Sequence, residues 1–562
     1  MFKSFKIIFI GLIFFIFPFI VQAAEIEFNV DPSYDYSGRA KINAFLHQIG
    51  ENAYFYVEDP YYQNLDIEKK KELSQALQNL SQEFDQIIYP KLRETFGLEW
   101  NPGIDNDSKI TVLITRIKGD AGGYFNSGDE YSVLQSPNSN QKEMVYLNAD
   151  YITSPLAKGF LAHEFTHLIT FNQKDRVKGV QEEIWLNEMR SEAAPRILGY
   201  DDNFDSSNLQ RRLRSFLQKP QDPLTEWKNE APDYGVLNIF MQYLIDYYGV
   251  RIFSDSLASN KIGIPSLNEA LQKRGYPEDF SQIFTNWTTA VLINDCNFGP
   301  KLCYANPNLR NLRVLPQINF LPSIGESSLA VVNYVKNWAG NWYKFIGGQG
   351  TLKLEFVGDE KANFKIPYLL EDNSGKLTLD FLKLDNTQRA NQIFPEFGKK
   401  YRSLTIIPSL QAKLSGFDGL ENYSKFIFTA SISSENPAPN PEQELIAQLL
   451  AQIAVLQGKI AQLLAQSGGG PASSGCLKLE NNLYFGLKDN QEVRCLQNFL
   501  KNQGASIYPE GLVTGNFFFA TQAAVIRFQE KYASEILTPI GLQKGTGYVG
   551  VLTLNKINQL IK

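Results

Sequence analysis

Two linker-like stretches near the carboxyl end most constrain how this chain of 562 residues can fold. The segment SSENPAPNP at 433–441 is rich in proline and asparagine, and SGGGPASSG at 467–475 is rich in glycine and serine. Neither composition favours packing into a core. Because a single core rarely serves more than about 250–300 residues, we predict five segments: 1–24, 25–310, 311–432, 433–475 and 476–562.

The amino-terminal end predicts export. Two lysines precede a long apolar run, and small residues around Ala23 provide a cleavage site, so residues 1–24 have the pattern of a secretory signal peptide. An uncleaved membrane anchor is the alternative, because the apolar run is long. We expect the protein to be secreted or to reside in a bacterial cell envelope, outside the cytoplasm.

The charge of the chain indicates which partners it can bind, and its cysteines indicate which disulfides it can form. The net charge is −6, and no segment clusters Lys and Arg as nucleic-acid binding requires, so no nucleic-acid partner is expected. An exported chain meets an oxidising environment, which predicts two local disulfides, Cys296–Cys303 and Cys476–Cys495. A cysteine metal site is the weaker alternative, because the chain has no Cys-x-x-Cys pair.

Hydrophobic patterns predict a multidomain α+β protein. Strand-like and helical stretches are mixed up to about residue 150, and mainly helical patterns follow to about residue 300. Short alternating strands separated by turn residues then fill 311–432, which predicts a β-sandwich accessory domain.

The segment between the two linkers carries short heptads. Isoleucines and leucines alternate at the a and d positions, which favours a parallel two-stranded coiled coil and therefore a homodimer through residues 446–463. Fewer than three full heptads make such a coil marginal alone, so a single helical spacer is the alternative. The heptad residues are Ile446, Leu449, Ile453, Leu456, Ile460 and Leu463.

Two of the only three histidines fall in the pentapeptide HEFTH. Positions four apart share one helix face, so His163 and His167 can bind one metal ion while Glu164 reaches a water on it. No later histidine exists, so the third ligand should be a carboxylate, and WLNEMRSEAAP supplies Glu188. Glu192, one turn on, could accept the free ring N–H of a metal-bound histidine. A surface helix with two solvated histidines is the alternative.

The pattern HEFTH followed by WLNEMRSE resembles the gluzincin group of zinc metallopeptidases. With GGYF, EMVYLN and YGVLNIFMQYLIDYYG it is most similar to hyicolysin-like neutral metallopeptidases, over about residues 40–310. The resemblance implies a thermolysin-like zincin domain in 25–310. It also implies Zn²⁺ as cofactor, bound by His163, His167 and Glu188, with Glu164 as the catalytic base.

Two further assignments concern the substrate. Peptide hydrolysis needs a donor for the oxyanion, and the resemblance to tyrosine-using gluzincins implies Tyr234; His47 or an ordinary packing tyrosine are the alternatives. The GGYF segment predicts an edge strand in which Gly123 and Tyr124 pair with an extended peptide. A plain glycine turn is the alternative there.

The last segment, 476–562, resembles the peptidoglycan-binding domain type 1. The similarity runs from VRCLQNFL through the turn at 511–515 to YVGVLTLNKI. It implies a small helical bundle that binds peptidoglycan, tethers the chain to another polymer or holds it at the cell surface.

These features together predict a secreted, cell-wall-associated zinc endopeptidase that acts on proteins or peptides. Two alternatives stay open. The first is a hydrolase of peptidoglycan stem peptides in wall remodelling, and the second is a non-catalytic, wall-anchored adhesion or scaffold protein.

Overall fold

A computed structural model describes residues 25–322, 326–417, 419–433, 478–509, 511–540 and 542–561. The signal peptide, the heptads and Cys476 lie outside these residues, so those predictions stay predictions. The chain is multidomain and mixes helices with several sheets. Its described residues fall into two compact units, within 25–433 and 478–561, and each is described by itself. Among them, no helix combines the length and apolarity that crossing a membrane requires.

A six-stranded sheet organises the amino-terminal part of the first unit. Its strands are β1 (Glu25–Asn29), β2 (Lys41–Ile49), β3 (Ala53–Glu58), β4 (Ile110–Thr115), β5 (Gly123–Tyr124) and β6 (Met144–Asn148). They lie in the order β1-β2-β3-β4-β6-β5. The pairs β3–β4 and β4–β6 are parallel and the other pairs are antiparallel, so β5 forms one edge of the sheet.

The central strand β4 is buried at every position. Alternate side chains point to opposite faces of a strand. Ile110, Val112 and Ile114 therefore join the helices in the main core, while Leu113 joins a smaller core on the other face. Both faces of this strand are covered, which explains why its segment ITVLI is apolar except for Thr111.

Helices cover one face of this sheet and continue beyond it. They are α1 (Asp59–Gln63), α2 (Ile67–Glu83), α3 (Tyr89–Phe96), α4 (Ala157–Phe171), α5 (Ile184–Ile197), α6 (Asn208–Gln218), α7 (Ala231–Tyr248), α8 (Arg251–Ala258), α9 (Gly263–Lys273) and α10 (Phe280–Ile293). Helix α4 packs on β5, β6 and α5, which places it in the middle of the unit.

The regular elements described between residues 317 and 433 are all β-strands. The strands are β7 (Gln317–Leu321), β8 (Ser327–Val335), β9 (Tyr343–Gly347), β10 (Gly350–Gly358), β11 (Phe364–Lys365), β12 (Pro367–Asp372), β13 (Leu377–Phe381), β14 (Arg389–Phe397), β15 (Tyr401–Ile406), β16 (Ser409–Leu410) and β17 (Ser424–Ser433). Strands β14, β10, β17 and β8 form one layer, and β13, β12, β15, β9 and β7 form another.

These two layers meet in hydrogen bonding at a single residue pair, Phe397 with Tyr401. Their side chains face each other across a shared core, where the rings of Tyr343 and Phe428 lie 5.0 Å apart. The alternating pattern of β10 and β17 follows from this, because one side of each strand packs inward and the other remains more accessible.

The β region does not stand apart from the helices. Trp338 and Trp342 belong to the main core with the helices, and Trp342 Nε1 donates to the carbonyl oxygen of Thr288 at 2.8 Å. Lys336 forms a buried ion pair with Glu226. The predicted segments 25–310 and 311–432 are therefore packed together within one compact unit.

The disulfide Cys296–Cys303 is confirmed, with its Cα atoms 5.0 Å apart. It closes a short loop just after α10, where Tyr247 donates a hydrogen bond to the carbonyl oxygen of Cys303 at 2.8 Å. Because Cys476 is not among the described residues, its pairing with Cys495 stays a prediction.

The second unit is a small helical assembly with an internal repeat. Its helices are α11 (Gln491–Asn502), α12 (Phe519–Lys531), α13 (Ala533–Ile536) and α14 (Val551–Leu560). The side-chain oxygen of Gln497 accepts the backbone N–H groups of residues 514 and 515, at 2.8 and 2.9 Å. Gln529 accepts those of residues 546 and 547 at the same distances. One buried glutamine thus holds a Thr-Gly turn in each half.

Candidate metal centre

Helix α4 buries its ionisable residues. Every residue of this helix except Lys158 is buried, including His163, Glu164 and His167. The helix is buried on all sides and predominantly apolar, as expected for one surrounded by other elements. Burying ionisable groups is costly unless they have partners. The expected helix is confirmed, and the alternative of solvated histidines on a surface helix is wrong.

Helix α5 packs against α4 and supplies the carboxylates. Glu188 and Glu192 are one turn apart and both face α4, where they approach the histidines. Trp185 and Met189 lie in the main core instead. The helix therefore separates an acidic stripe from an apolar one, and the acidic stripe points at HEFTH.

Three ligand atoms converge on one point. The Nε2 atoms of His163 and His167 are 3.2 Å apart, and Oε2 of Glu188 lies 3.2 Å from the first and 3.7 Å from the second. Ligand atoms on a tetrahedron with bonds of about 2.0–2.1 Å are separated by about 3.3 Å. The triangle matches that spacing, and among the described residues it is the one His/Cys/Asp/Glu group that fits a metal ion.

The chemistry of these donors also fits a cation. Oε2 of Glu188 is buried and has no hydrogen-bond partner within the described part of the chain. With their Nδ1 atoms facing acceptors, both histidines direct Nε2 lone pairs at each other, which is unfavourable unless a positive charge lies between them. A His₂Glu set suits Zn²⁺ and other first-row dications.

The protonation states of His167 and Glu188 suit metal binding. Burial lowers the pKa of His167 to about 4, so its imidazole is neutral near pH 7. Burial opposes ionisation of Glu188, but its electrostatic interactions with His167 and with His163, whose Nε2 lies 3.2 Å away, hold the pKa of Glu188 below its ordinary value. Burial also opposes charge on His163, yet Glu188 and Glu164 raise the pKa of that histidine.

The outward-facing ring nitrogens are held by side chains of α5. Nδ1 of His163 lies 3.5 Å from Oε1 of Glu192, the position predicted for that carboxylate. Nδ1 of His167 lies 3.1 Å from Oδ1 of Asn187 and 3.2 Å from Oγ of Ser191. Each imidazole is thereby oriented so that its Nε2 points at the site.

Glu192 is itself fixed by hydrogen bonds from two helices, α6 and α7. Arg212 donates to both of its oxygens at 3.1 Å, Asn208 donates at 3.0 Å and Asn238 at 2.8 Å. Although burial disfavours its charge, the positive charge of Arg212 lowers the pKa of Glu192 to about 2. The carboxylate therefore stays ionised behind His163 at any ordinary pH.

Glu164 lies beside the edge strand of the sheet. A Cβ added to Gly123 would lie 2.9 Å from Cγ of Glu164 and 2.5 Å from the carbonyl oxygen of Tyr146. Only glycine fits at this position without displacement. Burial raises the pKa of Glu164 to about 8 in the metal-free protein. A neighbouring dication would lower that pKa.

The site opens into a cleft of about 820 Å³. Strand β5, Glu164 and the two histidines line it, as do Tyr34 and Tyr234. The edge strand expected from GGYF is confirmed, and the alternative of a plain glycine turn is wrong. One side of the β5 backbone has no partner strand among the described residues, as pairing with an extended peptide requires.

Tyr124 differs from expectation. Its ring is buried and stacked between Tyr34, at 4.6 Å, and Tyr146, at 4.0 Å. It packs beneath the cleft, so a substrate would meet its backbone and not its phenol. The sequence could not show this, because two-residue strands give no clear alternation.

Tyr234 lies in the first turn of α7 beside the cleft. Its hydroxyl donates to Oδ1 of Asn229 at 3.0 Å, and the guanidinium of Arg212 lies 4.1 Å from its ring. Nδ2 of Asn229 donates to the hydroxyl of Tyr34 at 3.1 Å. Burial and the charge of Glu188 raise the pKa of Tyr234 well above its ordinary value, so its hydroxyl stays a neutral donor.

His47 does not take part in this cleft. It lies in β2 and packs on Tyr62, with ring centroids 4.3 Å apart, and it is not among the lining residues. Tyr34 is a lining residue that sequence reasoning missed, since nothing near it in the chain marks it out. Asn187 and Ser191 were also missed, although their four-residue spacing beside Glu188 could have revealed them.

Comparison with known proteins gives little guidance. No family model matches this chain, and no curated protein matches it. One solved structure, the M60 catalytic domain with two CBM51 domains from Clostridium perfringens ZmpB, is 10% identical, with a TM-score of 0.21. The match covers 68% of this chain and 59% of that one.

Two other solved structures are similarly remote. The GH115 4-O-methyl-alpha-glucuronidase BtGH115A is 8% identical with a TM-score of 0.12, over 59% of this chain and 52% of that one. The infectious bursal disease virus Gx strain structure is 12% identical with a TM-score of 0.11, over 20% and 30%. The matched regions span less than two thirds of all three structures, and none of these scores carries an argument about fold or function.

Proposed function

We propose that this chain is a zinc-dependent endopeptidase. The observation that carries the proposal is the convergence of His163, His167 and Glu188 on one point, with Glu164 beside them at the floor of an open cleft. Three protein ligands leave one position for water or substrate, which is the arrangement of catalytic zinc sites.

Each part of the proposed site has a separate role in peptide hydrolysis. Bound Zn²⁺ would act as a Lewis acid toward water and the scissile carbonyl. Glu164 takes the proton of the attacking water and passes it to the departing amine. Tyr234 donates a hydrogen bond to the carbonyl oxygen as negative charge develops there. The edge of β5 holds the substrate backbone in an extended conformation.

The cell-wall association belongs to the same proposal. The signal peptide would export the chain, and the second unit, through its likeness to peptidoglycan-binding domains, would hold it at the wall. Substrates could then be wall or envelope proteins, or the stem peptides of peptidoglycan itself.

The test compares casein and purified sacculi side by side. We expect the zinc-loaded full chain to cleave casein, and Glu164→Gln to lose hydrolysis by roughly 10²–10⁴-fold because it lacks the base. Release of stem peptides without casein cleavage would favour the wall hydrolase. No cleavage of either substrate by the zinc-loaded chain would favour the adhesion or scaffold protein.

A further inference from the structure

Arg211 is a cleft residue that forms no ion pair with any of the described residues. It stands in the first turns of α6, half-buried, and lines the cleft with Phe160 and Gly122. The neighbouring Arg212 is fully paired with Glu192, but Arg211 has no ion-pair partner among the described residues. A guanidinium that is both sheltered and unpaired is unusual, because burial normally requires a counter-charge.

Its hydrogen bonds are also incomplete. Nη2 donates to Oδ1 of Asn208 at 3.1 Å, and Nη1 donates to the carbonyl oxygen of Asp120 at 3.4 Å. Nε is buried, and none of the described residues accepts a hydrogen bond from it. A guanidinium presents five N–H groups in a planar fork that matches a carboxylate, so several donors remain for a ligand. Burial and the charge of Arg212 lower the pKa of Arg211 to about 10, which leaves it charged at neutral pH.

The position of Arg211 places it along the substrate path. Its Cζ lies 5.2 Å from the centre of the Phe160 ring, and Phe160 is one helical turn before Glu164 on the same face of α4. A Cβ added to Gly122 would lie 2.3 Å from the Phe160 ring, so the start of the edge strand lies directly on that ring. A peptide paired with β5 would therefore pass Arg211 within a few residues of the scissile bond beside Glu164.

A polar chain also connects Arg211 to the metal site. Asn208 accepts from Arg211 and donates from Nδ2 to Oε2 of Glu192 at 3.0 Å. Glu192 in turn faces His163. This chain holds the guanidinium in place relative to the histidines, so a ligand bound by Arg211 would have a defined position relative to the catalytic groups.

We propose that Arg211 binds a carboxylate of the substrate, and that the cleft selects peptides with an acidic group close to the scissile bond. This inference rests on the proposed peptidase function. The carboxylate can come from an Asp or Glu side chain or from the free carboxyl end of a peptide, and the two sources are separated by experiment.

The experiment uses internally quenched peptides blocked at both ends, in which each position within three residues of the cleaved bond carries Glu or Gln. A second pair differs only in a free or amidated carboxyl end. At one position, or at the free end, we expect the carboxylate to raise kcat/KM roughly tenfold to a hundredfold, the range of a charge-assisted hydrogen bond. The position of the effect identifies the source.

Variants assign this preference to Arg211. In Arg211→Gln the ratio of kcat/KM for the acidic and neutral peptides should fall to about one, and Arg211→Lys should keep part of it because the charge remains. Arg214→Gln is the matched control, since Arg214 lies on the same helix, is exposed and does not line the cleft, and the ratio should not change. If Arg211→Gln does not fold, the kcat/KM ratios of the wild type and of Arg211→Lys still test whether Arg211 causes the preference.

Two results would overturn the inference: no carboxylate preference at any position in the wild type, or a preference that survives Arg211→Gln. Failure of the proposed function is distinguishable, because then no peptide is cleaved. In that case the Kd values of the same peptides are compared on the Glu164→Gln protein. Tighter binding of the acidic peptides, lost in a Glu164→Gln, Arg211→Gln double variant, supports the role of Arg211, and equal binding contradicts it.

Discussion

At the scale of single residues, the neighbours of each buried carboxylate determine its role in the candidate metal centre. Glu192 is ionised because Arg212, Asn208 and Asn238 all donate to it, and it can therefore face His163 without a proton of its own. Glu188 has no such donors at Oε2. The two carboxylates of α5 thus have different environments, one satisfied by the protein and one left available for a cation.

The two tyrosines bridged by Asn229 lead to a prediction about the oxyanion donor. Tyr234→Phe should lower kcat by roughly 10²–10³-fold with little change in KM, because it removes a hydrogen bond that forms only as charge develops. Steady-state kinetics on a quenched peptide measures this. Tyr34→Phe, at the other end of the same bridge, is the comparison. An equal loss in both variants, or a loss in Tyr34→Phe alone, would show that Tyr234 was the wrong choice.

At the scale of elements, the edge strand β5 and helix α4 are so close that one methyl group added to the strand should affect activity. Gly123→Ala should lose activity while keeping its metal, because the added Cβ must push either Glu164 or the backbone of β6. Gly159→Ala is the control, since in α4 its Cβ would make only ordinary contacts with Pro195. Metal analysis and kinetics of both variants check this. Full activity in Gly123→Ala would mean that β5 does not constrain Glu164.

A buried charge cluster fixes the start of α5. Oε2 of Glu182 lies 2.7 Å from Arg190 and 3.6 Å from Lys174, and all three side chains are buried. Glu182→Gln should therefore reduce the free energy of unfolding by about 3–5 kcal/mol, because two buried cations lose their counter-charge. The urea midpoint, with an unchanged slope, measures the loss.

The matched control for that cluster is an exposed pair. Glu94 lies 2.9 Å from Lys91 on the surface of α3, and both side chains are largely accessible. Glu94→Gln should change the free energy of unfolding by roughly 0–1 kcal/mol, the usual range for surface pairs. If the two variants lose the same stability, the buried cluster is not what holds α5.

The sequence predicts the parts of the site that follow helical periodicity. The spacing of His163 and His167, and of Glu188 and Glu192, indicates by itself which side chains share a helix face. The contributions of Arg212, Asn238 and Tyr34 could not be predicted, because they reach the site from distant parts of the chain. Their placement depends on how α6, α7 and the loop before β2 pack together, and no local sequence pattern indicates that packing.

At the scale of the whole molecule, the β region has a core between its own layers but also contributes Trp338 and Trp342 to the core of the helices, whereas the second unit has a separate core. The indole of Trp342 bonds to α10, and Gly416 N–H donates to Glu183 just before α5 at 2.7 Å. The predicted boundary at residue 310 is therefore a change in secondary structure inside one unit. The sequence shows that change clearly. Hydrophobic periodicity cannot show, however, that Trp338 and Trp342 of the β region pack into the core of the helices.

This organisation predicts the effect of truncation. A chain that ends at residue 433 should keep its zinc and its casein cleavage, because the first unit retains all of its core, but it should no longer bind sacculi. Co-sedimentation with purified sacculi and a casein assay measure the two properties. Retained sedimentation of the truncated chain would contradict the wall-binding role proposed for the second unit.

The most direct test of the central claim is the metal content of the purified full chain, prepared without chelators and measured by elemental analysis. We expect about one zinc per chain, and its loss in His163→Ala, because two remaining ligands do not hold the ion. His47→Ala should keep its zinc, since that histidine packs on Tyr62 away from the cleft. If neither the wild type nor the variants contain zinc, and none is taken up on addition, the converging side chains do not form a zinc site and the proposed peptidase mechanism is wrong.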